Sequence, residues 1–566
     1  MSRSADRGEP APDLPDAGRR RSDRAADPSA TLTPYERVVP SWTDATVRRA
    51  SQLIGGPLGR HAQVGRLPIL TPLRVCLLMA LLFLIFGWLA KSPCIQQTPG
   101  ADGAMVLDSS GNRQWISGCY NDVVPAYQIH GLNQSISPFA THYASDGSVM
   151  PALPYGALTA AFLWLVARGA GAYRKVADGS GLLPASLDVG VFFTVGAIAL
   201  GLVYLWAVAS TLKISRRRPW DTAIMCLSPL LVVHAFTNWD ILPIALLAAA
   251  MLSWSRSRPV WAGALLGLAV AAKLYPVLLL VPLVVLALRT GRVRPVLVTT
   301  VTAAVAWAAV NLPFVLTDPA AWSQFYAANL DRRPEFTSLW SVFSTWSGST
   351  LFTPDLAPGQ APALLNAVVA VLLVVAVLLI GWLGLAAPRR PRVAQLMFLT
   401  VAAFLLITKT WNPQFSLWLL PLAVLALPRW RPLLVWQLAE AALWWLLMLT
   451  FATRGDSSAR YALLSAYPFQ AMALVRDAIV LMLMVMVIRE ILRPADDLVR
   501  QAGDDDPTGG VFADAPDRFT LLSLPAVLGF GRRPAMDPRA ADVPAVPAGG
   551  PPAEAVPLVE RVAPRE

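Results

Sequence analysis

Charge is what this chain has least of. Charged residues fill 15% of its 566 positions against 55% hydrophobic ones, and the mean hydropathy is +0.50. So little charge excludes an ordinary soluble globule and indicates a polytopic membrane protein. Histidine and cysteine are also few, four of each. His130, His142 and His234 share no ligand spacing, and the cysteines lack a four-ligand pattern, so neither set reads as a metal centre. Each histidine reads instead as a hydrogen-bonded loop or interface residue. No Asp-x-Asp pair occurs near Asp122, because position 121 is Asn and the nearest other carboxylates are Asp108 and Asp146. A divalent metal is therefore compatible with the chain but not implied, and no cofactor is required. No apolar stretch precedes Leu73, which argues against a cleavable signal and makes the first segment a retained span. The net charge of +11 sits in short basic clusters beside apolar runs, where it would meet an anionic leaflet rather than nucleic acid.

Residues 1–66 and 494–566 are rich in Pro, Ala, Gly, Asp and Arg without sustained apolar periodicity. Both are expected to be disordered cytoplasmic tails around a membrane domain at 67–493. Crossing the hydrocarbon takes about 20 apolar residues as helix. Leu73–Ala90 is one span, flanked by Arg66 and Arg74, so the polar loop 91–150 is expected on the opposite, outer face. Within that loop lie Cys94 and Cys119, either a disulfide pair or two unpaired thiols; Cys76 and Cys226 fall in apolar spans.

The basic residues force hairpins. Trp261–Leu288 is too long for one upright span and has arginines at both ends, so it should fold back at Lys273-Leu274-Tyr275-Pro276, where Pro276 breaks the helix. Thr222–Trp254 should do the same at Asn238-Trp239-Asp240, and Val393–Leu427 at Lys409-Thr410-Trp411-Asn412-Pro413-Gln414. Arms of about 14 to 16 residues span roughly 21–24 Å against a core near 30 Å. The tips should therefore be sunken, placing Asp240, Lys273 and Lys409 in a recessed outer cavity, and ionisable groups at that depth are functional candidates. Further spans are expected at Leu187–Leu212, Pro295–Leu316, Ala363–Ala386, Leu433–Phe451 and Pro468–Arg489. The total is about twelve helices if Ala152–Ala167 is a juxtamembrane or re-entrant helix.

An N-terminal span, a large outer loop with an early aspartate, and short hairpins tipped by Asn-Trp-Asp and Lys-Leu-Tyr-Pro resemble the GT-C superfold of lipid-dependent glycosyltransferases. The likeness covers Leu73 to Arg493. Within that superfold the chain resembles glycosyltransferase family 87, the actinobacterial polyprenyl-phosphate-mannose-dependent α-1,2-mannosyltransferases. Tyr120-Asn121-Asp122 matches the position of the family's aspartate base, which implies that role for Asp122. Pro151–Thr159 resembles the family's Tyr-Pro-rich segment, with the proline before the tyrosine here. The resemblance implies an all-α fold in the plasma membrane with its active site outside, a polyprenyl-phosphate sugar donor and a glycolipid or glycan acceptor.

The chemistry fits those residue types. An acceptor hydroxyl must lose a proton, which a carboxylate takes, and a departing lipid phosphate needs fixed positive charge. Asp122 reads as that base or as a helix cap before Val123-Val124-Pro125. Lys273 and Lys409 suit the phosphate, and Arg332 with Arg333 could add a bidentate clamp or form a solvated pair neutralised by Asp331 and Glu335. Asp240 would pair with one of these cations, and Asn121, Tyr275, Asn412 and Gln414 are further substrate-binding candidates. Arg454, Arg460, Arg476 and Asp477 would contact the acceptor or merely balance charge at the rim. Two other classes compete: a transporter or lipid-sugar flippase using the buried charges for passage, disfavoured by the lack of paired broken helices in matching halves, and an inactive envelope-assembly protein.

Overall fold

The computed structural model describes residues 70–134, 153–181, 184, 186–357, 359–454 and 466–521. The expected N-terminal tail, residues 522–566, His142, Asp146 and Arg460 lie outside them, as does the side chain of Arg454. The described chain is helical apart from one two-stranded ribbon, Gln97–Pro99 paired antiparallel with Met105–Leu107.

Helix α1 (Pro72–Lys91) starts where the Thr71 hydroxyl accepts from the Arg74 amide and Pro72 occupies the first turn. It is one of six helices among the described residues that are long and apolar enough to cross a membrane. The others are α4 (Asp188–Ile214), α8 (Val293–Thr317), α11 (Ala363–Ala386), α14 (Trp430–Arg454) and α15 (Tyr467–Leu492). Between α1 and α4 come α2 (Val123–Ile129) and α3 (Ala157–Ser180). Helix α3 runs well past the Ala152–Ala167 segment and carries Arg168 and Arg174, the latter paired with Asp188.

The hairpins consist of shorter pieces. Helix α5 (Ile241–Ser255) follows the Asn238–Asp240 tip, but the arm before it is no single helix: it breaks into Pro219–Thr222, Ala223–Cys226 and Pro229–His234. Pro229 explains the last break, since it cannot donate to the preceding turn. Helix α6 (Pro259–Ala272) ends where Lys273 becomes extended, and a 3₁₀ turn at Tyr275–Leu279 leads into α7 (Leu280–Thr290). The third hairpin repeats this plan: α12 (Val393–Ile407), an extended tip, a 3₁₀ turn at Pro413–Trp418, and α13 (Leu419–Ala426). Two surface helices, α9 (Pro319–Asp331) and α10 (Leu339–Ser347), are capped by Asp318 and Ser338.

Close backbone approach fixes the α6 tip. Gly263 and Gly267 lie one turn apart against α8, where an added methyl would overlap Thr302 and Ala303; small residues at this spacing let membrane helices pack tightly. Gly156 lies against the carbonyls of Ala271 and Ala272, the latter 2.8 Å from where a Cβ would be, and the Thr159 hydroxyl donates to Ala272 O at 2.9 Å.

Residues 494–521 correct the expected C-terminal tail, for they fold onto the helical unit. The Arg392 guanidinium donates to both oxygens of Asp497 (2.8 and 3.2 Å) and to the carbonyl of Ala426 (2.7 Å), with both side chains buried. Arg289 pairs with Asp517 at 2.8 Å, Arg389 with Asp505 at 3.0 Å, and Phe512 packs on Trp254 with ring centres 5.1 Å apart. Specific pairing of this kind orders a segment whose composition alone offers little apolar surface.

Candidate active site

The segment bearing Asp122 is held from three sides. Cys94 and Cys119 are bonded, with Cα atoms 5.6 Å apart. Buried Lys91, at the end of α1, donates to the Tyr120 carbonyl at 2.9 Å and lies over the Trp444 ring at 4.5 Å. Trp444 donates through Nε1 to Gly118 O at 2.9 Å. The cap of α2 belongs to Asn121, whose Oδ1 accepts from the Val123 and Val124 amides at 3.1 and 2.9 Å. Asn121 is buried and does not face the cavity, so the expectation of substrate contact there is corrected: it terminates the helix. The Asp122 side chain makes no cap bond and is left free for other work.

Asp122 Oδ1 accepts from the Tyr120 hydroxyl at 3.0 Å and Oδ2 from Asn238 Nδ2 at 2.7 Å, while its amide donates to Thr237 O at 2.8 Å. Burial raises its pKa above the usual carboxylate range, and nearby Asp240 adds to the rise; the bonds from Asn238 and Tyr120 and the charge of Arg332 oppose it. The carboxylate is thus half-buried, held by neutral donors, and basic for its kind.

The hairpin tips supply the cations. Lys273 forms an ion pair with Asp240, and its ammonium lies over Phe415 (4.0 Å) and Trp418 (4.9 Å). Asp240 Oδ1 also accepts from Trp418 Nε1 at 2.8 Å, and Tyr275 stacks on Trp418 with centres 4.0 Å apart. Lys409 has no carboxylate within ion-pair distance among the described residues; it donates to Leu330 O (2.7 Å) and Asn366 Oδ1 (2.6 Å). Arg332 is exposed at the end of α9 and likewise makes no ion pair among the described residues.

One cavity of about 1050 Å³ is lined by Asp122, Lys273, Tyr275, Arg332, Lys409, Asn412 and Gln414. Asp240 stands behind Lys273 and orients it, without lining the cavity. Arg333 turns away and donates to the Leu356 carbonyl, because the chain is extended between α9 and Pro334, sending consecutive side chains in different directions. The bidentate clamp therefore reduces to Arg332. Arg476 and Asp477 are buried and paired at 2.8 Å; Arg476 lies 3.6 Å from the Trp411 ring centre and donates to Thr337 O at 2.7 Å, so it braces the 409–414 tip from behind rather than meeting an acceptor. His130 lines the cavity, whereas His234 is buried edge-on against Trp444, with neither ring nitrogen hydrogen-bonded among the described residues. No group of three metal-ligating side chains occurs among the described residues.

Among the lining residues that sequence reasoning missed, four bear directly on the charges of the site. Tyr120 and Asn238 sit inside the two motifs that drew attention, but only the fold brings them to Asp122. Asn366 had a local signal, a lone polar side chain in the apolar run Ala363–Ala386. Glu335, expected from the sequence only to neutralise its neighbours, faces the cavity with its amide on Lys409 O at 2.8 Å, and burial raises its pKa while Arg332 opposes the rise.

A carboxylate facing fixed cations in a recess among helices of membrane-spanning length makes this cavity the candidate active site. Residues 154–408 match the family model of glycosyltransferase family 87. That match supports the family-level resemblance read from the loop and hairpins and indicates a membrane glycosyltransferase. The matched span includes Asp240, Lys273 and Arg332 and excludes Asp122 and Lys409. No curated protein and no solved structure matches the chain significantly.

Proposed function

We propose that the protein transfers a sugar, mannose by resemblance, from a polyprenyl-phosphate donor to a hydroxyl of a cell-envelope glycolipid or glycan on the extracytoplasmic side of the plasma membrane. The acceptor oxygen attacks the anomeric carbon as the bond from that carbon to the phosphate oxygen breaks. Asp122 takes the hydroxyl proton, and the bonding electrons leave with the phosphate. A glycosidic bond and polyprenyl phosphate result.

The observation that carries this reading is the division of charge in the cavity. Lys273 is neutralised by Asp240, whereas Lys409 and Arg332 form no ion pair among the described residues and can meet a phosphodiester. Asp122 is bound only by uncharged donors, which leaves it able to accept a proton.

The test is transfer from a panel of radiolabelled polyprenyl-phosphate sugars in membranes, comparing the native chain with Asp122→Asn. A general base contributes roughly 10²–10⁴-fold, so the variant should lose transfer by that factor and retain donor binding. Full turnover by Asp122→Asn would reject the base assignment. Sugar crossing proteoliposomes without a new glycosidic bond would instead identify a transporter.

A further inference from the structure

A line of aromatic rings leads away from Asp122 along one cavity wall. Tyr120, whose hydroxyl bonds Asp122, stacks on Trp115 with centres 4.9 Å apart and planes 20° from parallel. Trp115 meets Phe451 at 5.1 Å, and Phe451 meets Phe336 at 5.4 Å. All four rings line the cavity, yet they come from three separate parts of the chain: the first loop, the end of α14 and the loop after α9. Fully buried rings would be explained by core packing, and Trp444 is such a ring, 3% exposed in the cluster beneath, against which Trp115, Tyr120 and Phe451 rest on one side. Phe336 is 44% exposed, and Trp115, Tyr120 and Phe451 are each partly open.

Polar groups border this wall. Asp122, Glu335, Arg332 and His130 face the same cavity. Ring faces with carboxylates and hydrogen-bonding groups beside them are complementary to a pyranose, whose C–H face is apolar and whose hydroxyl edge is polar. The region around Lys409 is different in kind. There α11 and the α7 hairpin present Val369, Ala370, Leu373 and Val277, aliphatic side chains without hydrogen-bonding capacity, next to the cation proposed for the phosphate.

We infer that the Tyr120–Trp115–Phe451–Phe336 wall is the acceptor subsite, and that its ligand is a pyranose ring stacked beside Asp122, with the donor's prenyl stub held by the aliphatic side around α11. The inference rests on the transferase reading, because it uses Asp122 as the point the acceptor hydroxyl must reach. It adds the acceptor's chemical class and the residues that select it.

Binding and transfer are measured separately so that the two readings can fail apart. The full chain in lipid nanodiscs is titrated with methyl α-D-mannopyranoside, and saturation transfer to the ring C–H protons is followed by NMR. Trp115→Ala should weaken this binding about tenfold, Trp115→Phe should largely restore it, and Asp122→Asn should leave it in place. In the transfer assay Trp115→Ala should raise the acceptor KM with the donor KM unchanged. Undiminished binding to Trp115→Ala would overturn the subsite even if transfer proceeds, as would a rise confined to the donor KM. Loss of binding in Trp115→Ala with rescue by Trp115→Phe upholds the subsite even if no donor is turned over.

Discussion

Asn238→Ala should move the acid limb of the pH–rate profile. Asn238 Nδ2 lies 2.7 Å from Asp122 Oδ2 and favours the ionised carboxylate. A hydrogen bond to a charged group contributes about 1.5–3 kcal/mol, and one pKa unit corresponds to about 1.4 kcal/mol, so removing it raises the Asp122 pKa by roughly one to two units. The base works when ionised. Transfer must therefore fade at higher pH in the variant than in the native chain, while rates well above both pKa values converge. Other groups bear on the same carboxylate: Tyr120, Asp240 and Arg332 directly, with Glu335 and Lys273 also within electrostatic reach. None is altered by this substitution. The measurement is kcat/KM for transfer against pH in membranes or nanodiscs. A uniform loss at every pH, or an unmoved acid limb with donor binding intact, would refute the argument that Asn238 tunes the base.

Two more outcomes follow from the remaining charges. Lys409→Ala removes a cation whose hydrogen-bond partners are neutral, so the donor KM should rise about 10- to 100-fold with little change in thermal stability. Lys273→Ala should weaken donor binding too, but it also strands buried Asp240; Lys273→Ala/Asp240→Ala should recover stability without recovering donor affinity, and equal melting temperatures for the single and double variants would contradict this. Arg392→Ala leaves Asp497 buried without its cation and should cost about 3–5 kcal/mol, read as a lowered unfolding temperature of the solubilised protein; an unchanged value would show that residues 494–521 do not brace the bundle.

The hairpin tips were legible in the sequence because two strong constraints coincide there. Basic residues at both ends of an apolar run demand a return, and a proline or polar group marks where the run breaks; Lys273 and Lys409 stand at such breaks in the fold. The first hairpin was legible only in part, since its tip at Asn238–Asp240 was found but Pro229 divides the first arm into short pieces. Side-chain direction was not legible. Asn121 and Asp122 are neighbours, and nothing in their order says that the amide caps the helix while the carboxylate faces the cavity. That outcome follows from the Thr237 carbonyl and Asn238 amide, which reach Asp122 from more than a hundred positions away. The same holds for Arg332 and Arg333, of which one faces the cavity and the other bonds Leu356 O.

The C-terminal segment shows why composition misled. Residues 494–521 have little apolar surface, and by hydrophobicity alone they should stay unfolded. Their aspartates nevertheless find arginines already fixed at the ends of hydrophobic helices. Asp497 meets Arg392, Asp517 meets Arg289 and Arg390, and Asp505 meets Arg389. Each such arginine borders an apolar run, and in the charge-placement reading it is a topological signal. The two roles do not conflict, because they act in sequence: helices that insert as they are synthesised do so before residue 494 exists, so the arginines would orient the bundle as free cations and acquire carboxylates afterwards. Replacing Asp497 and Asp517 with asparagine should therefore lower stability without inverting the hairpins. Cysteine labelling at position 273 from the outer side would measure this, and a reversal of labelling in that variant would show that the aspartates take part in setting orientation.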